Sequence, residues 1–201
     1  MRLATLTAAL LAACALAATA RADGDPASDY LLSSQVFLPF DAKIPKEKQQ
    51  ELIGVLAAAN KGGYKIRAAV IASNYDMGAI TSLWRKPKTY ARFLGLELRF
   101  VYKNRLLIVM PNGFGYFYSG HPTDREYAAL DKIPIGTGAV GLVDAAEKAV
   151  TTLAGTSGVK IDAKTAHAPS HARQRLIIIL ATIVGVLVLV GARLALRGKR
   201  T

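Results

Sequence analysis

Cysteine is almost absent from this chain. Its 201 residues contain one cysteine, Cys14, inside an apolar run near the N-terminus. The rest of the chain therefore has no thiol with which to form an internal disulfide bond or a paired-cysteine metal site. The globular part must be stable through its hydrophobic core, and at roughly 130 to 140 residues it is long enough to build one.

The common catalytic motifs are absent as well. The sequence has no G-x-S-x-G, H-E-x-x-H or P-loop string, so it carries none of the usual signatures of serine hydrolases, zinc proteases or nucleoside triphosphatases. One G-x-G-x-x-G string, Gly136–Gly141, precedes a predicted helix. A dinucleotide site needs a strand leading directly into the glycines, and Pro134 interrupts that stretch. We interpret these glycines as a tight turn into a packed helix and expect no cofactor.

The excess of positive charge lies at the two ends of the chain. There are 26 basic and 14 acidic residues, a net charge of +12. Two arginines flank the first apolar run and six basic residues flank the last one, which leaves 18 basic and 14 acidic residues between them. The remaining net charge of +4 does not indicate a nucleic-acid partner.

An apolar run near the N-terminus predicts export. Residues 3–20 follow an arginine, and the small-x-small sequence that ends at Ala22 is typical of a signal-peptidase site, so residues 1–22 are predicted to be a signal peptide. Leu11–Cys14 resembles a lipobox, and the alternative that Cys14 becomes a lipidated N-terminus stays open. The short segment before that cysteine favours cleavage after Ala22.

A second apolar run predicts a membrane anchor. The chain has no charged residue from Leu176 to Ala192, and about 20 residues at 1.5 Å each cross roughly 30 Å of hydrocarbon. Residues 174–196 are predicted to be a transmembrane helix, preceded by a tether at 155–173. The basic tail, 197–201, is predicted to stay in the cytoplasm. These features predict a single-pass type I protein of the cytoplasmic (inner) membrane, with its N-terminal domain periplasmic or extracellular.

The segment between the two ends predicts an α/β fold with a small mixed sheet flanked by helices. Residues 23–34 are predicted to be a flexible N-terminus, and residues 35–154 the exported domain. Asn112-Gly113 predicts a hairpin whose two turn residues have positive φ. The predicted elements are an edge strand in Gln35–Phe40, a helix from Pro45 to Gly62, a central strand in Lys65–Ser73, a loop at Asn74–Trp84, a helix from Pro87 to about Tyr102, strands Arg105–Met110 and Phe114–Tyr118, a short helix within His121–Asp131 and a helix at about Ala139–Ala154.

Several local strings resemble the TPM domain family, an α/β module of the thylakoid lumen and the bacterial envelope. The first long helix ends in Lys61–Tyr64 and leads into the apolar run Lys65–Ser73. The hairpin contains Gly113-Phe114-Gly115, and Gly138–Val143 opens the last helix. The resemblance implies a TPM-like sandwich that assists assembly or maintenance of a membrane complex. Acidic residues expected from the family near the hairpin are replaced by Lys103-Asn104-Arg105.

The loop after the central strand contains the candidate ligand-binding residues Asn74, Tyr75 and Asp76. Open α/β sheets bind ligands beyond the carboxyl ends of their strands. The alternative is a loop whose Asn and Asp satisfy their own backbone. A weak metal-dependent phosphatase or other hydrolase would use Asp76, the one carboxylate in this loop, but such an enzyme needs several carboxylates together. The sequence identifies neither a catalytic residue nor a metal.

A basic stripe is predicted on the second long helix. Lys88, Arg92, Arg99 and Lys103 recur at helical spacing and fall on one side, which suits contact with anionic lipid headgroups or an acidic protein partner. A solvated helix face is the ordinary alternative. The leading hypothesis is a non-enzymatic, membrane-anchored extracytoplasmic interaction module that contacts the lipid bilayer and a membrane protein partner.

Two further patterns near the C-terminus are weaker. His167 and His171 could bind a metal on a helix, but Pro169 between them favours a tether. Ala181 and Gly185 have the small-x-x-x-small spacing of helix contacts in membranes, which leaves open a structural role for the predicted span.

Overall fold

Two apolar strands predicted from the sequence lie side by side at the centre of the sheet in the computed structural model, which describes residues 24–161. The fold is α/β. The strands are β1 (Val36–Phe37), β2 (Ile66–Val70), β3 (Arg105–Met110) and β4 (Gly113–Phe117). The helices within residues 24–161 are α1 (Pro26–Leu31), α2 (Lys46–Lys61), α3 (Pro87–Leu98), α4 (Asp124–Leu130) and α5 (Gly138–Thr156), and a 3-10 helical segment covers Asn74–Leu83.

The sheet is small and mixed, as predicted. Its strand order is β1-β2-β3-β4, with β1, β2 and β3 parallel and β4 antiparallel to β3. The predicted strands Gln35–Phe40 and Lys65–Ser73 are confirmed as an edge strand and an inner strand. The proline in Gln35–Phe40 limits how far the edge strand can pair. Helices cover both faces of the inner strand, which is why its residues are largely apolar.

The hairpin between β3 and β4 is confirmed, but the prediction of its turn residues is wrong by one position. Met110 pairs with Gly113, so the two central residues are Pro111 and Asn112. Neither of them has positive φ, whereas Gly113 has φ 152° as the first residue of β4. Proline fixes a negative φ at the first central position, and proline there with glycine after the second is the pattern of a type I turn.

Helices on both sides of the sheet create two hydrophobic clusters. On one side α2 and α5 pack against alternate residues of the inner strands, including Ala68, Val70 and Leu107. On the other side α1, α3 and the 3-10 segment cover the intervening residues, including Ala69 and Ile108. The described part of the chain is therefore a three-layer sandwich.

The segment before β1 differs from the predicted flexible N-terminus at 23–34. Residues 26–31 form α1, with Ala27 and Leu31 fully buried. Asp25 caps the helix by accepting a hydrogen bond from the Ala27 N–H at 3.0 Å, and Pro26 occupies the first turn, where its fixed φ suits a helix. Local capping and the i, i+4 apolar pair together dock this segment against the core.

The second long helix ends earlier than predicted. α3 stops at Leu98, and the amides of Val101 and Tyr102 both donate to the Leu98 carbonyl. The chain turns there because Tyr102 lies over the start of β3, where its hydroxyl donates to the Arg105 carbonyl at 3.2 Å. Val101, which falls within the predicted helix but beyond the end of α3, is 61% exposed as a result.

Two glycines set the distance between α3 and β4. A Cβ atom on Gly115 would overlap the Pro87 carbonyl, and one on Gly95 would overlap the Phe117 ring. Helix and edge strand therefore approach closely only because both positions lack a side chain. This contact fixes where the side chains of α3 stand relative to those of β4.

Several predictions concern residues outside the described part of the chain. These are the signal peptide, Cys14, His167 and His171, the predicted span with Ala181 and Gly185, and the basic tail. Of the predicted tether, residues 155–161 are described: α5 continues to Thr156, and Val159 and Ile161 pack against the cluster beneath α2 and α5. Within residues 24–161, no helix is both long and apolar enough to cross a membrane.

Candidate functional site

The predicted ligand loop uses its carboxylate on its own backbone. Oδ2 of Asp76 accepts hydrogen bonds from the amides of Ala72 and Ser73 at 2.9 and 2.7 Å and from the Ser73 hydroxyl at 3.3 Å. These contacts form a capping box at the start of the 3-10 segment. Asp76 is only 6% exposed, whereas Asn74 is exposed and Tyr75 is 84% exposed. The three side chains do not converge on a common point of contact.

The chemistry of a metal-dependent hydrolase needs several ligands in one place. Among the residues that the structure describes, no group of three or more His, Cys, Asp or Glu side chains is placed to hold a metal ion. The glycine string also lacks the arrangement of a dinucleotide site, since no strand leads into it and a Cβ on Gly141 would overlap the Gly136 backbone. This packing matches the interpretation as a tight turn into α5.

The basic stripe follows α3 and continues past its end. Lys88 and Arg92 are four residues apart on α3 and both are exposed. Arg99 is the C-cap residue, with its guanidinium carbon 4.8 Å from the centre of the Phe100 ring. Lys103 is exposed in the turn that leads to β3. The first three share one side of the helix, and the fourth extends the positive charge beyond its end.

Exposed apolar side chains accompany this stripe, which the sequence analysis did not identify. Leu96 is 43% exposed, Phe100 81% and Val101 61%. Leu96 follows Arg92 by four residues, so these two side chains are neighbours on the helix surface, and Phe100 and Val101 follow in the turn just past its end. We call Arg92, Leu96, Arg99, Phe100, Val101 and Lys103 the α3 surface. It combines large apolar groups with cations on the outside of the sandwich.

A cleft opens beside the N-terminal half of α3. It has a volume of about 380 Å³ and lies between α3, the end of β4 and the segment leading into α4. We call it the tyrosine cleft. It is lined by Lys88, Arg92, Tyr116, Phe117, Tyr118, Gly120, His121, Thr123 and Tyr127.

Tyr127 holds one wall of the tyrosine cleft in place. Its hydroxyl accepts a hydrogen bond from the Tyr116 amide at 2.9 Å and donates to the Tyr116 carbonyl at 3.0 Å. β4 is an edge strand, so these bonds satisfy backbone groups that would otherwise be open to another strand. Burial raises the pKa of Tyr127, which keeps its hydroxyl protonated and able to donate.

Stacked rings form the opposite wall. The rings of Tyr118 and His121 lie parallel with centroids 3.7 Å apart. Nδ1 of His121 is 2.9 Å from the Ser119 carbonyl, and because a carbonyl only accepts, this nitrogen carries a proton. The Arg105 guanidinium lies 4.5 Å from the Tyr118 ring centre and 4.3 Å from that of Tyr64. Cation–π contacts of this kind hold the Tyr118 ring in place, and Arg105 makes them from outside the lining of the cleft.

Comparison with known proteins gives no family: no model of a protein family, no curated protein and no solved structure matches the chain.

Proposed function

We propose that this chain is a membrane-anchored, extracytoplasmic interaction module of the TPM-like type, whose α3 surface rests on anionic lipid headgroups. The observation that carries the proposal is the exposure of Phe100, Val101 and Leu96 beside Arg92 and Arg99. Interfacial membrane binding uses this combination, with apolar groups entering the headgroup boundary and cations pairing with anionic lipid. Assistance to the assembly or maintenance of a membrane complex is the role that the TPM resemblance suggests for such a module.

The strength of this contact suits a tethered domain. Fully burying a phenylalanine side chain contributes about 1.5–3 kcal/mol, and each basic residue near an anionic surface adds about 1 kcal/mol. Because Phe100 would enter only the headgroup boundary, the sum for the α3 surface is a few kcal/mol. A free domain would bind weakly, but a tether raises its effective concentration at the bilayer to about the millimolar range.

The chain between the domain and the predicted span is long enough for this orientation. The described structure ends at Ile161, and the uncharged run begins at Leu176. The 14 residues between them, 162–175, reach at most about 50 Å when fully extended. The length therefore allows the domain to turn α3 toward the membrane while the span holds it there.

Hydrogen–deuterium exchange on the reconstituted full chain tests the proposal. Vesicles of phosphatidylcholine are compared with vesicles that also contain phosphatidylglycerol. We expect amides in residues 96–103 to exchange more slowly on the anionic vesicles, because the turn after α3 is then shielded from water. Replacing Arg92→Glu together with Arg99→Glu should abolish this slowing by repelling the anionic surface.

A matched charge reversal separates this effect from net charge. Lys43 and Lys46 are exposed beside the opposite layer of the sandwich, so Lys43→Glu with Lys46→Glu changes the total charge equally and should leave the slowing intact. Equal exchange of residues 96–103 on both kinds of vesicle in the wild-type chain would contradict the proposal.

A further inference from the structure

The tyrosine cleft is positively charged without internal compensation. In the part of the chain that the structure describes, the ion pairs are those of Lys48 with Glu51 and Asp144, so Lys88 and Arg92 have no carboxylate partner there. None of the described side chains that line the cleft is acidic. Two cations thus face a concave, partly aromatic surface.

The position of these cations is unfavourable for the helix itself. Lys88 stands in the first turn of α3, which contains no acidic residue, and the positive end of the helix dipole disfavours a cation there. Lys88 and Arg92 are also like charges at i, i+4, which repel each other on a helix surface. An anion bound between them would relieve both effects.

A residue with a strained backbone, Arg85, lies just before α3, at the same end of the helix as Lys88. Arg85 has φ 59° and is the one non-glycine residue with positive φ among those described. Its carbonyl accepts a hydrogen bond from the Asn112 side chain at 2.7 Å, which ties this conformation to the β3–β4 hairpin. Arg85 and Lys86 are both exposed and immediately precede α3, so two more cations raise the positive potential at this end of the helix.

The walls of the cleft are held by interactions that leave the two cations available. Lys88 Nζ lies 4.4 Å from the centre of the Tyr127 ring, a contact that positions the ammonium group without neutralising it. Tyr127 is fixed by its two hydrogen bonds to Tyr116, and His121 is fixed by its stack on Tyr118. A volume of about 380 Å³ accommodates a phosphate group with a small organic substituent.

We propose that the tyrosine cleft binds a phosphate group, with Lys88 and Arg92 as its charged partners and the tyrosine and histidine rings as its walls. Arginine offers two parallel donors to phosphate oxygens, and lysine adds a mobile point charge. The group is either a small soluble phosphate or the headgroup of a lipid. The site shares Arg92 with the α3 surface, but the residues that line it include neither Leu96, Phe100 nor Val101, the apolar groups of the membrane contact.

Nuclear magnetic resonance on the full chain in detergent micelles tests this site. Inorganic phosphate, sn-glycerol 3-phosphate and a short-chain phosphatidic acid are titrated separately at constant ionic strength, with chloride as the balancing anion. The amide resonances of Gly120, His121 and Thr123 should shift saturably with at least one of these probes. Saturation with the first two identifies a soluble phosphate as sufficient, and saturation with phosphatidic acid alone identifies a lipid headgroup.

Variants on α3 decide whether the cations carry the binding. Lys88→Gln and Arg92→Gln should each weaken binding by about tenfold or more, because each removes a charge-assisted hydrogen bond. Lys46→Gln, at an exposed position on α2, should bind as the wild type does. Both α3 variants should unfold at or slightly above the wild-type midpoint, because each removes an unfavourable charge, and the fluorescence of Trp84, the one tryptophan of the chain, reports this.

Two results would overturn the proposal. One is the absence of saturable shifts at residues 120–123 with all three probes. The other is wild-type affinity in both Lys88→Gln and Arg92→Gln. Neither result depends on the exchange experiment at residues 96–103, so this site and the membrane contact can fail separately.

Discussion

Replacing Asp25 by asparagine removes a charge from the core while keeping the shape of the side chain. Asp25 is 6% exposed, and the Tyr90 hydroxyl donates to its two carboxylate oxygens at 2.8 and 2.9 Å. The Ala27 amide donates to Oδ1 as the helix cap. Asparagine is an equally good cap and its oxygen accepts from the same donors. The substitution therefore isolates the cost of ionising this buried group.

The size of the effect follows from the titration of this group. Burial raises the pKa of Asp25 from 3.8 to about 6, and the nearby charge of Glu97 acts in the same direction, although the bonds from Tyr90 and Ala27 oppose it. Between these two pKa values the folded state binds a proton that the unfolded state has released. The free energy of unfolding therefore falls as pH rises from about 4 to 6, by about 3 kcal/mol at most, since one pKa unit is worth roughly 1.4 kcal/mol.

Urea unfolding of the full chain in detergent, followed by Trp84 fluorescence, measures this effect. Trp84 packs against the same hydrophobic cluster as Tyr90, so it reports on the right part of the core. The stability gained by Asp25→Asn over the wild type should be near zero at pH 4 and grow to at most about 3 kcal/mol at pH 7.5. Asp29→Asn, on the exposed side of α1, should show no such growth. A stability difference for Asp25→Asn that is the same at both pH values would refute the reasoning.

Two further predictions concern the other side of the core and the contact of α3 with β4. Burial raises the pKa of Glu147 from 4.5 to about 7, so the free energy of unfolding of the wild type should also fall as pH rises through this window. Glu147→Gln should remove that part of the pH dependence, so that its urea midpoint changes less between pH 5 and 7.5 than that of the wild type. Gly115→Ala should destabilise the fold by about 1–3 kcal/mol or more, the range of core overpacking, because its Cβ would overlap the Pro87 carbonyl. Thermal unfolding monitored by near-ultraviolet circular dichroism checks this.

Each of these has a matched control. Glu47 is exposed in the first turn of α2, and Glu47→Gln should leave the slope between pH 5 and 7.5 unchanged. A Cβ on Gly155 of α5 meets open space, so Gly155→Ala should be neutral or slightly stabilising. The account of Glu147 is wrong if its Gln variant keeps the wild-type slope, and that of Gly115 is wrong if its Ala variant melts with the wild type.

Much of the sheet could be predicted because its signals are local. The two inner strands contain the unbroken apolar runs Ala68–Ala72 and Leu106–Met110. Strands that are covered on both faces typically have such sequences. The hairpin is also predicted by a local signal, but the pair Asn112-Gly113 places its turn one residue too late, because Pro111 occupies the first central position. Proline fixes the backbone more strongly than the preference of an Asn-Gly pair.

The packed N-terminal segment could not be predicted from its composition alone. Its polar residues suggested flexibility, yet Asp25 finds the Tyr90 hydroxyl, which is 65 positions away in sequence. The local part of the signal was present: an aspartate before a proline, then Ala27 and Leu31 four residues apart. The long-range partner that makes burial of the carboxylate tolerable is visible only in the fold.

The candidate site was predicted in part. The cations at Lys88, Arg92 and Arg99 follow from helical spacing. The exposure of Phe100 does not, because it depends on α3 ending at Leu98. The tyrosine cleft cannot be predicted from the sequence either, because Tyr116 and Tyr127 come together only where α4 folds back along the edge of β4.

The central claim is that the α3 surface lies in the headgroup region of an anionic membrane, and a fluorophore at position 100 tests it most directly. Cys14 is the only cysteine in the sequence, so Phe100→Cys in a Cys14→Ser background takes an environment-sensitive label at one place, and Gln50→Cys on α2 provides the matched water-exposed position. In reconstituted vesicles that contain phosphatidylglycerol, we predict a blue-shifted, brighter emission at position 100 and none at position 50. Aqueous emission at both positions would contradict the account.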